Sequence, residues 1–287
     1  MTELEIQGFW NRYPCGDLQV GGLERHRGDY ESFFSEYDSF RYRREGHILR
    51  CLDRIDFKGK QVLEIGLGQG ADSEQIIRRG ALWSGLDLAP ESVSRVRTRL
   101  ALRRLPHQAV RQGSVLQIPY EDNSFDIVFS HGVLHHVPDV LTAQREIHRV
   151  LKRDGDLIVM LYARWSVNYL VAIGIVRRLG LIALSLANLQ PSGILGQHIA
   201  SARTTGLRRY LRMTNFIHKN TDGPLNPYSK VYDRRTVERD FQSFTVVRCY
   251  KQFMHAPPLP VGWLPLERML GWHLWVHMRP TLRPQAA

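Results

Sequence analysis

The sequence predicts an α/β fold, a mostly parallel sheet of seven strands with helices on both faces and a helical insertion, and three observations carry that expectation. From residue 61 to 161, short apolar runs alternate with amphipathic stretches, the pattern of parallel strands joined by crossover helices. The runs themselves have few polar interruptions, as strands covered on both faces require. The first of them leads directly into a glycine-rich loop and a helix start.

In chain order, QVLEI (61–65), LWSGLDL (82–88), a weaker run near Ala109–Gln112, DIVFS (126–130) and DLIVMLY (156–162) read as strands. Pro90 followed by Glu91 starts a helix with Val93, Val96 and Leu100 on one face and arginines filling the other. Asp139 caps a helix whose buried stripe is Val140, Ala143, Ile147, Val150 and Leu151, and Asp154-Gly155 supplies the turn into the next strand. Residues 163–230 break the alternation with apolar helical segments and the turn-rich TDGPLNPYSK, and are read as an insertion. A helix at 235–241 and strands at 244–253 and 272–278 complete the sheet. The expected organisation is an N-terminal segment with a covering helix (1–50), a ligand-binding core (51–162), a lid (163–230) and a sheet-completing end (231–287).

Composition narrows the function classes. A hydrophobic share of 43% and a charged share of 23% fit a chain with a packed core rather than a disordered or polytopic one. The net charge of +11 raises nucleic acid, an anionic membrane or an anionic substrate as partners, but 33 arginines and only six lysines are spread along the chain without one basic block. Cys15, Cys51 and Cys249 have neither disulfide-framework nor zinc spacing, which fits a reducing cytoplasm and no metal site. The start, MTELEIQGFWNRYPCG, lacks the basic and apolar regions of a signal peptide. The apolar stretch 167–189 is interrupted by Arg177 and Arg178, each costing about 2.5–3.5 kcal/mol at a bilayer midplane. That argues for a buried or interfacial segment, so contact with an anionic membrane surface stays open while a span is disfavoured.

The stretch VLEIGLGQGAD (62–72) is a strand running into glycines at alternate positions and then a helix. Glycine lets the chain turn sharply and a ligand touch the backbone, while the helix start offers free N–H groups. Gly66, Gly68 and Ala71 also satisfy the dinucleotide pattern G-x-G-x-x-G/A, with Asp87 at a suitable distance for ribose hydroxyls. Glu64 inside the strand and the third glycine, Gly70, extend this to E-x-G-x-G-x-G. An acid at that position can bind a ligand's ammonium group, which a nicotinamide dinucleotide lacks.

Together VLEIGLGQG, GLDLAP, IPYEDNSFDIVFSHGVLHHVPD and EIHRVLKRDGDLIVMLY resemble the motifs of the class I S-adenosylmethionine-dependent methyltransferases, small-molecule branch, over roughly residues 40–162. The resemblance implies a Rossmann-like fold and S-adenosylmethionine as cofactor. It implies that Glu64, Gly66, Gly68 and Gly70 surround the methionine part, that Asp87 accepts from both ribose hydroxyls, and that Leu88 lies against the adenine. Where many relatives have an acid on the adenine amino group, this chain has Gly113-Ser114-Val115, which hands that contact to Ser114 or a backbone carbonyl beside Val115. The K-P-G-G turn of relatives is replaced by Lys152-Arg153-Asp154-Gly155-Asp156. The segment 33–49 resembles the family's covering helix, with Arg41 and Tyr42 approaching the methionine moiety.

Methyl transfer from a sulfonium needs alignment above all, and a base only where the acceptor must lose a proton. SHGVLHHVPD (130–139) leaves the carboxyl end of the fourth strand, where open α/β sheets bind ligands. His131 and Gly132 are expected to line the cofactor through their backbone, and His135 or His136 to face the acceptor as general base or as pocket wall. Adjacent histidines without further ligands are a poor metal site. Tyr162, Trp165 and Tyr169, with Trp263, Trp272 and Trp275, point to an apolar small-molecule acceptor, a natural product, quinone or lipid-like molecule, with a sugar as the alternative. Nucleic acid is disfavoured: HGVL stands where N-P-P-Y would follow the fourth strand, and no cysteine occupies the nucleophile position of base methylation. A nicotinamide oxidoreductase and a non-catalytic nucleotide-binding protein are the other readings. The sequence gives no oligomeric state.

Overall fold

The computed structural model describes residues 2–281; residues 1 and 282–287, at the ends of the expected outer segments, lie outside the described residues. The strands are β1 (Gln61–Ile65), β2 (Leu82–Asp87), β3 (Ala109–Gln112), β4 (Phe125–His131), β5 (Leu151–Tyr162), β6 (Phe244–Gln252) and β7 (His273–Pro280). They form one sheet in the order β3-β2-β1-β4-β5-β7-β6. Strands β3 through β5 run parallel; β7 is antiparallel to β5, and β6 to β7. The strand order reverses between β1 and β4, so the carboxyl ends of these two strands flank the crevice where such sheets hold ligands.

Alternate residues of each strand serve opposite faces. On β1, Leu63 and Ile65 pack with Val128 and Leu157 against Ile147 and Val150 of helix Val140–Val150. Val62 packs on the other side with Trp83, Phe129 and Trp275, under Ile76 of helix Ala71–Arg78 and Val96 of helix Pro90–Leu102. Both faces are dry, which explains the unbroken apolar runs.

Three expectations are corrected. The arginines of helix Pro90–Leu102 do not all face solvent: Arg95 is 7% exposed and Arg99 fully buried, because the N-terminal segment lies over them. Arg99 pairs with Asp38 at 2.8 Å and Glu74 at 3.0 Å, and Arg95 with Asp17 at 2.6 Å. Asp154-Gly155 does not separate helix from strand. Leu151 already pairs with Phe125, and the register then jumps to Ile127 opposite Asp156, so the intervening residues bulge within β5. Helix Tyr30–Arg44 ends before His47–Leu52, so the segment 33–49 is two helices rather than one.

The insertion comprises helix Asn168–Arg177, wound in π-helical form and continued by Arg178–Leu186, then Gly193–Thr205, Leu207–Tyr210 and Met213–Thr221. It has its own apolar cluster, with Ile173, Leu181, Ile199, Tyr210 and Phe216 meeting Trp272 at the head of β7.

Candidate active site

A cavity of about 320 Å³ opens at the carboxyl ends of β1, β2 and β4, within the range of small-molecule sites. Glu64, Gly66, Gly68, Asp87, Leu88, Val115, His131, Gly132 and His136 line it; Gly70, Ser114 and His135 do not. Gly66 shows why the loop needs glycine: its φ is +82°, and a Cβ there would sit 2.0 Å from Val133 Cγ2. Gly70, at φ +76°, caps helix Ala71–Arg78, so its task is to turn the chain into that helix. Ser114 Oγ donates to Glu3, a lining residue, and accepts from Leu116 N–H, so its proton is already committed within the protein.

The carboxylates of the loop region differ in their surroundings. Asp87 accepts from Leu67 N–H at 2.6 Å and Ala89 N–H at 2.8 Å, which fixes its carboxylate at the cavity edge with lone pairs to spare. Burial raises its pKa, and those amides oppose the rise. Glu64 is 2% exposed and accepts from the Trp83 indole at 2.8 Å; burial pushes its carboxyl up to about 8. Asp72 lies nearby under Arg41, which donates to it at 2.5 Å, and under the Tyr42 hydroxyl at 3.1 Å. Burial would raise Asp72, but the Arg41 charge and His131 outweigh it and hold the carboxyl below its usual range. Arg41 and Asp72 line the cavity, and Arg41 also contacts His131 Nδ1 at 3.0 Å.

The two adjacent histidines part company because Leu134–His136 is a tight 3₁₀ turn. His135 is fully buried, with its ring 3.8 Å from the ring of Tyr162, and it lies behind the cavity wall. His136 faces the cavity. Its Nδ1 lies 2.7 Å from the Tyr228 carbonyl, an arrangement that places a proton on Nδ1 and turns Nε2 inward. Nε2 lies 3.3 Å from Asp222 Oδ2, yet neither atom has a hydrogen-bond partner in the protein. The other Asp222 oxygen accepts from the Tyr162 hydroxyl at 2.8 Å. Burial would raise Asp222, and His136 together with that hydroxyl keeps it below its ordinary value. Among the described residues no group of three or more His, Cys, Asp or Glu is placed to hold a metal ion.

Several lining residues escape sequence reasoning. Asp222 and Thr221 come from the end of the insertion, and Phe253, His255 and His273 from around the last two strands. The helix Glu3–Arg12 closes the cavity from above: Gln7 donates to the Leu88 carbonyl at 2.9 Å, and the Trp10 ring stands edge-on to His136 at 5.0 Å. That helix had a readable signal, since Thr2 and Glu5 form a capping box.

Residues 63–159 match the family model of a methyltransferase domain. The chain carries a class I S-adenosylmethionine-dependent methyltransferase domain. The chain is 27% identical over 176 residues to the chloroplastic tocopherol O-methyltransferase of Arabidopsis thaliana, covering 57% of this chain and 49% of that protein. It is 29% identical over 196 residues to a ubiquinone biosynthesis O-methyltransferase of Alkalilimnicola ehrlichii, covering 67% and 75%. The chain spans about half the length of several curated relatives it matches. A crystal structure of an S-adenosylmethionine-dependent methyltransferase from Aquifex aeolicus has the same fold, with a TM-score of 0.52 at 14% identity over 88% of this chain and 99% of that one. The residues present suit the family's cofactor: a glycine turn that a Cβ would obstruct, a cavity-edge carboxylate at Asp87 and a buried acid at Glu64.

Proposed function

We propose that this methyltransferase transfers a methyl group from S-adenosylmethionine to a hydroxyl oxygen of a mainly apolar small molecule, in the cytoplasm at a membrane surface where such molecules partition. The observation that carries this reading is the unpartnered pair His136 Nε2 and Asp222 Oδ2, facing the same cavity as Glu64 and Asp87. Groups left without hydrogen bonds inside a protein are costly, and an acceptor hydroxyl can donate its one proton to His136 Nε2 with the Asp222 carboxylate beside it. The names of the relatives, a tocopherol and a ubiquinone biosynthesis O-methyltransferase, support an oxygen acceptor.

Asp87 is assigned the ribose hydroxyls, Glu64 the ammonium group and Leu88 with Val115 the adenine, while Arg41 and Asp72 wall the methionine end. When bound, the cofactor supplies a methyl group on a sulfonium, an electrophile already activated. His136 holds the acceptor hydroxyl through Nε2 and takes its proton as the oxygen forms its bond to the methyl carbon. Asp222 then stabilises the imidazolium, and Tyr162 holds Asp222 in place. Trp10, Phe253 and Trp272 exclude water around the acceptor.

Incubating the enzyme with a small-molecule extract and deuterium-labelled cofactor, followed by mass spectrometry, tests the proposal. Label on the oxygen of an apolar molecule is expected. Label only on polar sugars, or none, would overturn the acceptor class.

A further inference from the structure

The lid carries an outer face that the methyl-transfer chemistry does not use. The helical stretch Asn168–Leu186 is as apolar as a membrane-crossing helix, yet only 17% of its most apolar window is buried. Leu170, Val171, Ile175 and Leu179 point outward, at 38%, 38%, 52% and 60% exposure, and Ile194 and Leu195 on the next helix are more than half exposed. A contiguous apolar surface of this kind marks an interaction site.

Its charge identifies the partner. Residues 157–221 contain no Asp or Glu, but eight Arg or Lys, so most of the net charge of +11 arises in the lid. The arginines are spread along the whole chain; the acids are not. Arg203, Arg208 and Arg209 stand exposed on the helices that follow the apolar stretch and Arg212 in the turn after them, and none forms an ion pair among the described residues. Exposed aliphatic side chains beside uncompensated arginines suit the headgroup and upper acyl layer of an anionic bilayer. The helix cannot leave the protein to span that bilayer. Arg177, at its middle, donates to the Pro257 carbonyl at 2.7 Å and the Asn220 carbonyl at 2.6 Å, fastening the helix to the body.

We infer that the lid docks flat on an anionic lipid membrane through the apolar face of Asn168–Leu186 and the start of Gly193–Thr205, with the lid arginines on the headgroups. This rests on the reading of an apolar acceptor, because the same lid supplies Thr221 and Asp222 to the cavity and so joins membrane and site.

Co-sedimentation of the full chain with vesicles of phosphatidylcholine, with and without phosphatidylglycerol, tests the inference. Pelleting with the anionic vesicles at low salt, suppressed by high salt, is expected. Replacing Ile175→Asp with Leu179→Asp lowers partitioning by about tenfold or more, and Arg203→Gln, Arg208→Gln and Arg209→Gln together by about a hundredfold. All five positions are exposed, so thermal melting and calorimetric cofactor binding remain at wild-type levels. No pelleting of the wild type, or equal pelleting of the Asp variant, would overturn docking. So would a dimer by light scattering that the Asp variant dissociates, since a second copy would then cover the face. Cofactor binding and labelled-product formation without vesicles are read in the same samples, so a failure of docking and a failure of the methyl-transfer reading give different results.

Discussion

Glu64 and Asp87 sit at the ends of neighbouring strands, and their surroundings suit them to different parts of one ligand. Asp87, among backbone amides, is a fixed acceptor; Glu64, beside an indole and pushed up to about 8, holds a proton at neutral pH until a cation arrives. Calorimetry at pH near neutral in two buffers of different ionisation enthalpy should therefore show proton release on cofactor binding in the wild type and none in Glu64→Gln. The sign for folding follows from the same shift. An acid whose folded pKa is raised from 4.5 to about 8 contributes stability below the lower value and loses it as pH rises through the upper one. Ligand-free wild type should melt progressively lower across that window, and Glu64→Gln should melt with a flatter profile. At the acceptor end, His136→Ala or Asp222→Asn should cut turnover by about 10²–10⁴-fold with cofactor affinity retained. His135→Ala should lower the melting temperature instead, leaving turnover of the folded enzyme in place, because its ring packs behind the wall. That Gly66, Gly68 and Asp87 line the cavity was legible because a close backbone approach restricts residue type, whereas Gly70 serves the turn into the helix. The choice between His135 and His136 was not, since it depends on a 3₁₀ turn, and Asp222 was invisible because only the return of the insertion brings it there.

At the scale of elements, helix Pro90–Leu102 shows where periodicity misleads. Val93, Val96 and Leu100 are buried as their spacing predicts, but the opposite face is covered too, by a segment whose position no local pattern encodes. Arg99 is held there by Asp38 and Glu74, and Arg103 pairs with both carboxylates as well, so Arg99→Ala removes the buried member of a shared network without leaving either acid unpaired. The cost expected from denaturant melting is about 1.5–3 kcal/mol, that of lost hydrogen bonds to charged groups. The helix Glu3–Arg12 covers the cavity at Leu88 and at His136. Trp10→Ala should speed cofactor release by about tenfold in stopped-flow displacement, the loss of an aromatic contact of order 1 kcal/mol plus its buried area. An unchanged release rate would mean the helix does not gate the site.

For the whole molecule, the parallel half of the sheet was readable because strands buried on both faces must be largely apolar, as β1, β2, β4 and the second half of β5 are, while the edge strand β3, with Arg111 and Gln112 exposed, read only weakly. The order β5-β7-β6 was not, since an antiparallel pair can join an edge in either order and only packing decides between them. Here Trp275 of β7 is fully buried against Phe129 of β4, which draws β7 inward and leaves β6 at the edge. The insertion was recognisable by its broken alternation, but which of its faces would stay uncovered required the tertiary structure. Sheet, loop and lid converge on one cavity, and what enters it defines the protein's chemistry. The most direct measurement is calorimetric titration of the wild type and Asp87→Ala with S-adenosylmethionine and with a nicotinamide dinucleotide. One-to-one binding of S-adenosylmethionine, lost in Asp87→Ala, with no heat from the dinucleotide, is the predicted result; binding of the dinucleotide with no response to S-adenosylmethionine would contradict it.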